Sequence, residues 1–285
     1  MPTTPLHVDP PVAVTVVIAA RDAAAHVGAC VASAAWAAER LVVEGGSSDD
    51  TRILALSEGA TVFTHPFSTI GRQRNLAIER ARHEWILVLD AEERCTPELA
   101  AEVRALVGRG GVTGDAFTVR RRSFLDGRPL RGGRWRPDAP VRLFRRRLRF
   151  DDMPGADRLV TGDAVVGTLR APLVRRVDVT HDAVAERTAR AARDWALQQL
   201  ARGNRASALA GPLHTVGQLV SSYLWHGGWR DGGAGLGLAF LDATEVALRW
   251  SQLWALSRGA RTVGTPSLPG ARRSSSEVTT PRPRR

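Results

Sequence analysis

Three carboxylates in four residues close an otherwise apolar run. In "WILVLDAEERCTPELA", residues 85 to 100, the chain passes from Trp85 through Leu89 straight into Asp90, Ala91, Glu92 and Glu93. In an extended segment, positions i and i+2 point the same way. Asp90 and Glu92 on one side of a strand end make a hard-oxygen pair suited to Mg²⁺ or Mn²⁺, with positions left for phosphate oxygens. A divalent cation there neutralises a leaving diphosphate. The same residues also read as a loop into a helix, with Thr96 as N-cap, Pro97 at the first helical position and Glu98 in the first turn. Two further stretches have paired readings. "VVEGGSSDDT" (42 to 51) is either a glycine-rich turn that approaches a nucleotide closely, or a plain turn in which Asp49 or Asp50 caps the next helix. "GRQRN" (71 to 75) sets two arginines and an amide at a helix start, suited to an anion or to a solvated helix face.

These residues need elements to position them. "VAVTVVIAARD" (12 to 22) is continuous and β-branched, the pattern of a strand buried on both faces. A helix over 23 to 36 places Val27, Cys30, Val31 and Ala34 on one face. A second strand opens at 40, a helix runs from 50 to a stop at Gly59, and "TVFTH" is a third strand. An amphipathic helix over 71 to 82 leads into "WILVLD", a fourth strand. The alternation predicts an α/β fold with a mostly parallel, doubly wound sheet. Ligands of such sheets sit outside the carboxyl ends of the strands. Three predicted strands end there in acidic or small polar residues: Asp22, then Glu44 to Asp50, then Asp90 to Glu93. Residues 114 to 180 are β-rich and arginine-rich, and 185 to 204 read as a helix ending near Gly203.

The composition narrows the partners. Of 285 residues, 40 are basic and 29 acidic, and every basic residue is arginine, giving a formal charge of +11. The excess favours anionic partners such as nucleotides or phospholipids. Cys30 and Cys95 are too few for a disulfide framework and suggest a reducing compartment. The leader "MPTTPLHVDPP" does not read as a secretory signal, and no uninterrupted apolar run reaches spanning length. The "RRR" runs at 120 to 122 and 145 to 147 come without a zinc pattern, RNA-recognition signature or helix-turn-helix, so no specific nucleic acid is expected.

The order of these pieces resembles the family 2 glycosyltransferases, and within them the bacterial group similar to lipopolysaccharide-core glucosyltransferases. The matching stretches include "VTVVIAARD", "CVASAAWAAERLVVEGGSSDDT", "GATVFTHPFSTIGRQRNLAIERARHEWILVLDAEERCTPELAAEV", "GGRWRPDAPVRLFRR" and "YLWHGGWRDGGAGLGLAFLDA", and the likeness covers roughly 12 to 256. The resemblance implies a GT-A nucleotide-sugar domain, a donor such as a UDP-sugar, a divalent cation, and inverting transfer to an acceptor hydroxyl. Asp90 and Glu92 stand at the family's Asp-x-Asp motif, Asp90 toward the ribose and metal and Glu92 on the metal. Glu44 stands where an Asp usually contacts the nucleoside. Arg72, Gln73 and Asn75 match the "G-x-Q-x-N" helix of the donor site, and Arg21 falls on the same side. Asp157 aligns with the expected general base, with Asp152 and Asp151 as neighbours able to serve. No Gln-x-x-Arg-Trp motif is present, so processive synthesis is not implied. The chain departs from the family's pattern at Ala23, Glu44, Glu92 and the pair Ala156-Asp157.

The expected organisation is a GT-A domain over 12–205, an amphipathic helical extension over 206–257, and a disordered basic tail over 258–285. The extension carries Leu213, Val216, Leu219, Val220, Tyr223 and Leu224 at helical spacing, then a stripe at Leu236, Phe240, Ala243, Ala247, Trp250 and Trp254. Asp242, Glu245 and Arg249 interrupt the stripe, so the segment is expected to lie on a surface rather than span one. Trp225, Trp229, Trp250 and Trp254 among arginines suit a bilayer interface, while two helices packed on the catalytic domain or a second subunit fit the same pattern. The combined expectation is a glycolipid or saccharide acceptor, cell-envelope glycan synthesis, and a cytoplasmic protein peripheral on the inner face of the membrane.

Overall fold

The structure, a computed structural model, describes residues 10–108, 113–153, 157–177 and 181–262. The leader, Ala156 and most of the expected tail lie outside the described residues.

The first half alternates as its sequence pattern requires. In order come β1 (Val12–Ala20), α1 (Ala24–Ser33), β2 (Ala37–Glu44), α2 (Thr51–Ser57), β3 (Thr61–Thr64), α3 (Ile70–Arg80) and β4 (Trp85–Asp90). Strand β1 is buried along nearly its whole length and pairs in parallel with β2 and β4 on either side. Such a central strand has no wet face, which explains its unbroken β-branched run. Its one polar residue, Thr15, is fully buried and donates to Glu39 Oε2 at 2.6 Å. Glu39 in turn accepts from Arg82, through the backbone N–H and Nε, both at 2.8 Å, so the buried polar groups are matched.

The second half is mainly antiparallel. It contains β5 (Glu93–Cys95), α4 (Pro97–Gly108), β6 (Ala116–Leu125), β7 (Arg128–Pro129), a 3₁₀ turn at Gly133–Trp135, β8 (Val141–Arg145), β9 (Arg149–Phe150), β10 (Leu159–Val160) and β11 (Val166–Arg176). The main sheet runs β3-β2-β1-β4-β8-β6-β11-β5, with β7 on β6, and β9 pairs β10 apart from it. Strand β5 begins only three positions after β4 ends, yet pairs with β11, across the intervening β8 and β6 in the sheet order. Helix α4 starts with Thr96 accepting from the Leu99 N–H at 3.1 Å, so the cap read from "CTPEL" is present.

Three helices close the chain: α5 (His181–Ala201), α6 (Ala210–Val220) and α7 (Gly232–Thr262), with a π turn at Ser221–Trp225 and a 3₁₀ turn at Gly228–Asp231 between the last two. Helix α5 starts before the predicted 185, and α7 continues past Arg258 to Thr262. Both α5 and α6 pack on α7; Trp195 and Trp250 meet at 5.5 Å between ring centres, and His214 stacks on Trp250 at 4.2 Å. The turn between α6 and α7 docks on the sheet domain. Asp231 accepts from the N–H groups of Arg131 and Gly132, at 2.9 and 2.8 Å, and Gly133 N–H donates to His226 O at 2.9 Å. A side chain at Gly132 would run into the Gly227 carbonyl, so this approach requires glycine.

The predicted stripe on α7 is corrected by this packing. Leu238, Ala239, Asp242, Ala243 and Leu253 are buried, whereas Leu236 and Phe240 are exposed. The buried face includes a carboxylate, which an apolar count skips. Asp242 is held by Ser222 Oγ at 3.0 Å, with Arg134 at 3.8 Å.

Candidate active site

Strand register brings the predicted strand ends to one edge. Ala20 lies opposite Glu44, and Ala19 opposite Asp90. The loops after β1 and β2 are stapled together. Asp22, at a left-handed φ of 48°, accepts from the Ser48 N–H at 2.8 Å, and its own N–H donates to Ser47 Oγ at 2.9 Å. Asp49 accepts from Ala24 and Thr51 N–H groups, each at 3.0 Å, so of the two capping aspartates Asp49 makes the contacts and Asp50 makes none through its side chain. Glu44 is buried and accepts from the Ser47 N–H in its own turn. Arg21 lies over Phe67, 5.6 Å from the ring centre, and 3.8 Å from Asp194 of α5.

Helix α3 presents "GRQRN" in three directions. Gln73 is buried and donates through Nε2 to His65 O and Pro66 O, at 3.1 and 3.0 Å; its Oε1 has no partner among the described residues. It fixes the loop before the helix. Asn75 spends its amide on β9, donating to Phe150 O and accepting from Phe150 N–H, both at 2.9 Å, and also donates to Asp152 at 2.7 Å. Arg72 is exposed, 4.0 Å from Asp152. A side chain at Gly71 would run into the Asp151 carbonyl, so the glycine of this motif lets the chain after β9 cross the start of α3.

Arg74, the second arginine of "GRQRN", is neither a free anion donor nor part of a solvated face. It is buried, donates to Asp90 Oδ1 at 2.6 Å and also holds Asp157. The other Asp90 oxygen accepts from Arg142 at 2.7 Å, with Arg121 at 3.5 Å. Arg142 and Arg121 also bind Glu93, at 2.7 and 2.9 Å, and Arg121 pairs with Asp138 at 2.5 Å. Burial alone would raise the Asp90 carboxyl; Arg142, then Arg74, then Arg121 outweigh it and hold Asp90 well below the ordinary carboxylate range. For Glu93, which is fully buried, burial wins and lifts the carboxyl against the same arginines.

The expectation that Asp90 and Glu92 project together from an extended segment is corrected. Residues 91 and 92 form a turn. Glu93 closes it by accepting the Asp90 N–H at 3.0 Å and then enters β5. Period two does not operate across a turn. Asp90 and Glu92 nevertheless line one cleft of about 570 Å³, bounded by β-sheet residues on one side and α7 on the other. Asp157 lines it too, about half exposed, with only Oδ1 engaged among the described residues. Asp152 is not among the lining residues; it faces Asn75 and Arg72 instead.

Among the described residues no group of three or more His, Cys, Asp or Glu side chains could by itself hold a metal ion. Two carboxylates on one cleft still fit a hard divalent cation whose remaining positions go to phosphate oxygens and water, as Mg²⁺ commonly binds. Asp90 stays ionised, as a ligand must, while both its oxygens also serve guanidinium groups.

A parallel half-sheet with acidic strand ends, continued by an antiparallel half that folds back over them, defines a GT-A nucleotide-sugar domain. The chain belongs to glycosyl transferase family 2, whose sequence profile matches residues 15–161. Among solved structures it is similar to glucosyl-3-phosphoglycerate synthase from Mycobacterium tuberculosis, at 22% identity over 40% of this chain and 44% of that one, with a TM-score of 0.31. A mycobacterial protein matches at 25% identity over 39% and 40%, TM-score 0.30, and S. aureus TarS at 14% over 64% and 39%, TM-score 0.44. The matches thus span about two fifths of the length of these proteins.

Proposed function

We propose that the protein transfers a sugar from a nucleotide-sugar donor, UDP-linked, to a hydroxyl of a glycolipid or saccharide acceptor, in a single inverting and non-processive step of cell-envelope glycan synthesis. The observation that carries the proposal is the shared register of Ala20, Glu44 and Ala19, Asp90, which sets the nucleotide-side residues and the cleft carboxylates on one sheet edge. Arg21, Glu44 and Gln73 are assigned to the donor side. The orphaned Oε1 of buried Gln73 supports this, because a buried acceptor without a partner is costly and a ligand N–H or O–H would satisfy it. Arg72 and Asn75 frame that side through Asp152 rather than by free donor groups.

Asp90 and Glu92 are the residues to hold a divalent cation, Mg²⁺ or Mn²⁺. When bound, it supplies charge neutralisation to the leaving diphosphate. Asp157 is the assigned base: it lines the cleft, and Arg74 fixes one oxygen while the other can reach an acceptor hydroxyl. Asp152, on the far side of Asn75, is the lesser alternative.

The same reading places the protein on the cytoplasmic membrane face through its last helices. No described helix is long and apolar enough to cross a membrane. Leu209 at the start of α6, Leu213 and Val216 within it, and Leu224, Trp225 and Trp229 of the following turns are all exposed; Trp225 is 82% exposed. Exposed tryptophan and leucine on a basic chain suit an anionic bilayer surface.

A second reading, a non-catalytic nucleotide-sugar-binding or scaffold protein, is favoured by one observation: guanidinium groups already occupy both oxygens of Asp90. Calorimetric titration with UDP, with and without Mn²⁺, followed by turnover of UDP-sugars on glycolipid acceptors, separates the two. Metal-dependent binding with turnover supports transfer; binding without turnover of any sugar supports the second reading; no nucleotide binding removes both.

A further inference from the structure

The cleft holds six arginines in or behind its wall, and five are matched by carboxylates. Arg74 and Arg142 serve Asp90, Arg121 serves Asp138 and Glu93, and Arg134 and Arg249 serve Glu245. Arg175, on β11, differs. Among the described residues its only hydrogen-bond partner is the Ser123 hydroxyl, which accepts from Nε at 3.0 Å and Nη2 at 2.6 Å. Nη1 makes no hydrogen bond among the described residues. The guanidinium lies against Trp135, 4.6 Å from the ring centre, so the side chain is held in place by a stack and a fork. Trp135 adds an independent sign: its indole N–H is buried with no acceptor among the described residues. Among the described residues two donors on neighbouring side chains of one cleft thus lack acceptors, and the Arg175 charge, which feels Asp138, Glu93 and Asp90 at longer range, makes no ion pair of its own.

We propose that Arg175 and Trp135 form an anion subsite, which seats a phosphate or carboxylate group carried by the acceptor. The proposal rests on the reading of this cleft as the acceptor side of a transferase. The planar guanidinium suits bidentate recognition of such a group. Of the five carboxylates that line the cleft, Asp90, Asp157 and Glu245 are each paired with arginine, Asp242 is held by Ser222 Oγ with Arg134 at 3.8 Å, and Glu92 is the one assigned to the cation. Burial first, and the adjacent Arg121 charge second, push Arg175 down to about 10, a burden that a bound anion relieves. Val177, Leu238 and Leu241 line the same cleft, so the ligand is amphipathic, with an apolar body beside its charged group.

The test titrates phenyl phosphate and inorganic phosphate into the full chain by calorimetry at constant ionic strength, with and without saturating UDP. The expected result is saturable binding that survives UDP, tighter for phenyl phosphate, and weakened at least tenfold in Arg175→Gln. Arg175→Lys retains part of the affinity, and Trp135→Phe, which keeps a ring under the guanidinium, loses part of it. Affinity unchanged in Arg175→Gln, or no saturation by either probe, overturns the proposal. Thermal unfolding reports whether each variant folds; if Arg175→Gln does not, an affinity unaltered in both Trp135→Phe and Arg175→Lys overturns it. Vesicles of phosphatidylcholine with and without phosphatidate distinguish the sources. Displacement of phenyl phosphate that needs phosphatidate, and wild-type Arg175, assigns a lipid headgroup; no displacement assigns a soluble acceptor. UDP binding measured on the same variants separates the two readings. Anion binding without UDP binding removes the donor assignment and leaves the subsite; UDP binding without anion binding does the reverse.

Discussion

Arg74 reaches Asp90 with one nitrogen, at 2.6 Å, and Asp157 with another. One buried guanidinium therefore sets the spacing between the carboxylate that ends β4 and the carboxylate assigned as base. Lysine keeps the charge but offers a single point rather than a fork. Arg74→Lys is expected to lower kcat at least tenfold while changing UDP affinity less than threefold. Equal losses in the two would move Arg74 to the donor side.

Glu92 separates metal binding from stability better than Asp90 does. Asp90 pairs with three arginines, two of them buried, so Asp90→Asn removes the carboxylate they share and costs about 3 kcal/mol as well as any function. Glu92→Gln is expected to abolish Mn²⁺-dependent UDP binding with a melting temperature close to wild type. Retained metal dependence in that variant would exclude Glu92 as a ligand.

The Asp90 network also has a pH signature. A carboxyl whose folded pKa is depressed contributes stability that is complete above its unfolded pKa, about 4, and lost as pH falls through the folded value. The stability gap between wild type and Asp90→Asn should be full at neutral pH and shrink progressively as pH falls below about 4. Glu93 has the opposite sign: its raised carboxyl contributes below the unfolded pKa and loses that contribution as pH rises through the folded one. Urea unfolding across this range measures both; a pH-independent gap would remove Asp90 from the network.

Asn75 tests whether the "GRQRN" motif is a binding element throughout. Asn75→Ala leaves the Phe150 N–H and C=O without partners and is expected to cost about 2 kcal/mol. UDP affinity of the folded fraction should stay within threefold. A tenfold loss of affinity with unchanged stability would return Asn75 to the donor pocket.

Much of the parallel half was legible because each element there carries its own local signal. β-Branched runs and a glycine stop after α2 fix β1 and α2 from neighbouring residues alone, and just beyond that half the Thr96 cap does the same for α4. The charge network was not legible, because its members come from separate strands and helices. In "RRR" at 120 to 122, only Arg121 turns inward, which strand alternation could have signalled had the strand register been known. Arg142, inside "PVRLFRR", reads as one more basic residue until β8 sets it beside β4. Glu93 looked like part of an acidic cluster, yet it is buried and closes a turn. The α7 stripe misled because Asp242 packs inward with Ser222, and a count of apolar residues cannot register that pairing.

The exposed apolar turn after α6 predicts surface binding. Trp225→Ser combined with Leu213→Ser is expected to reduce sedimentation with anionic vesicles at least fivefold without altering UDP affinity. Wild-type sedimentation that is absent, or unaffected by the pair, would place the acceptor in solution or give these residues another partner.

The pairing of β5 with β11 has a consequence for how the chain matures. The register Leu173↔Cys95 joins residues far apart in sequence, and the arginines around Asp90 come from positions 74, 121 and 142. Contacts of such separation form late, because loop closure is unfavourable until both ends are present. A nascent chain can assemble β1 to β4 as it emerges, but Asp90 meets its full set of partners only after β8 has been made, and β5 finds its strand only with β11. The parallel core is thus an early scaffold, and the charge network around Asp90 is completed later, when synthesis has passed the middle of the protein.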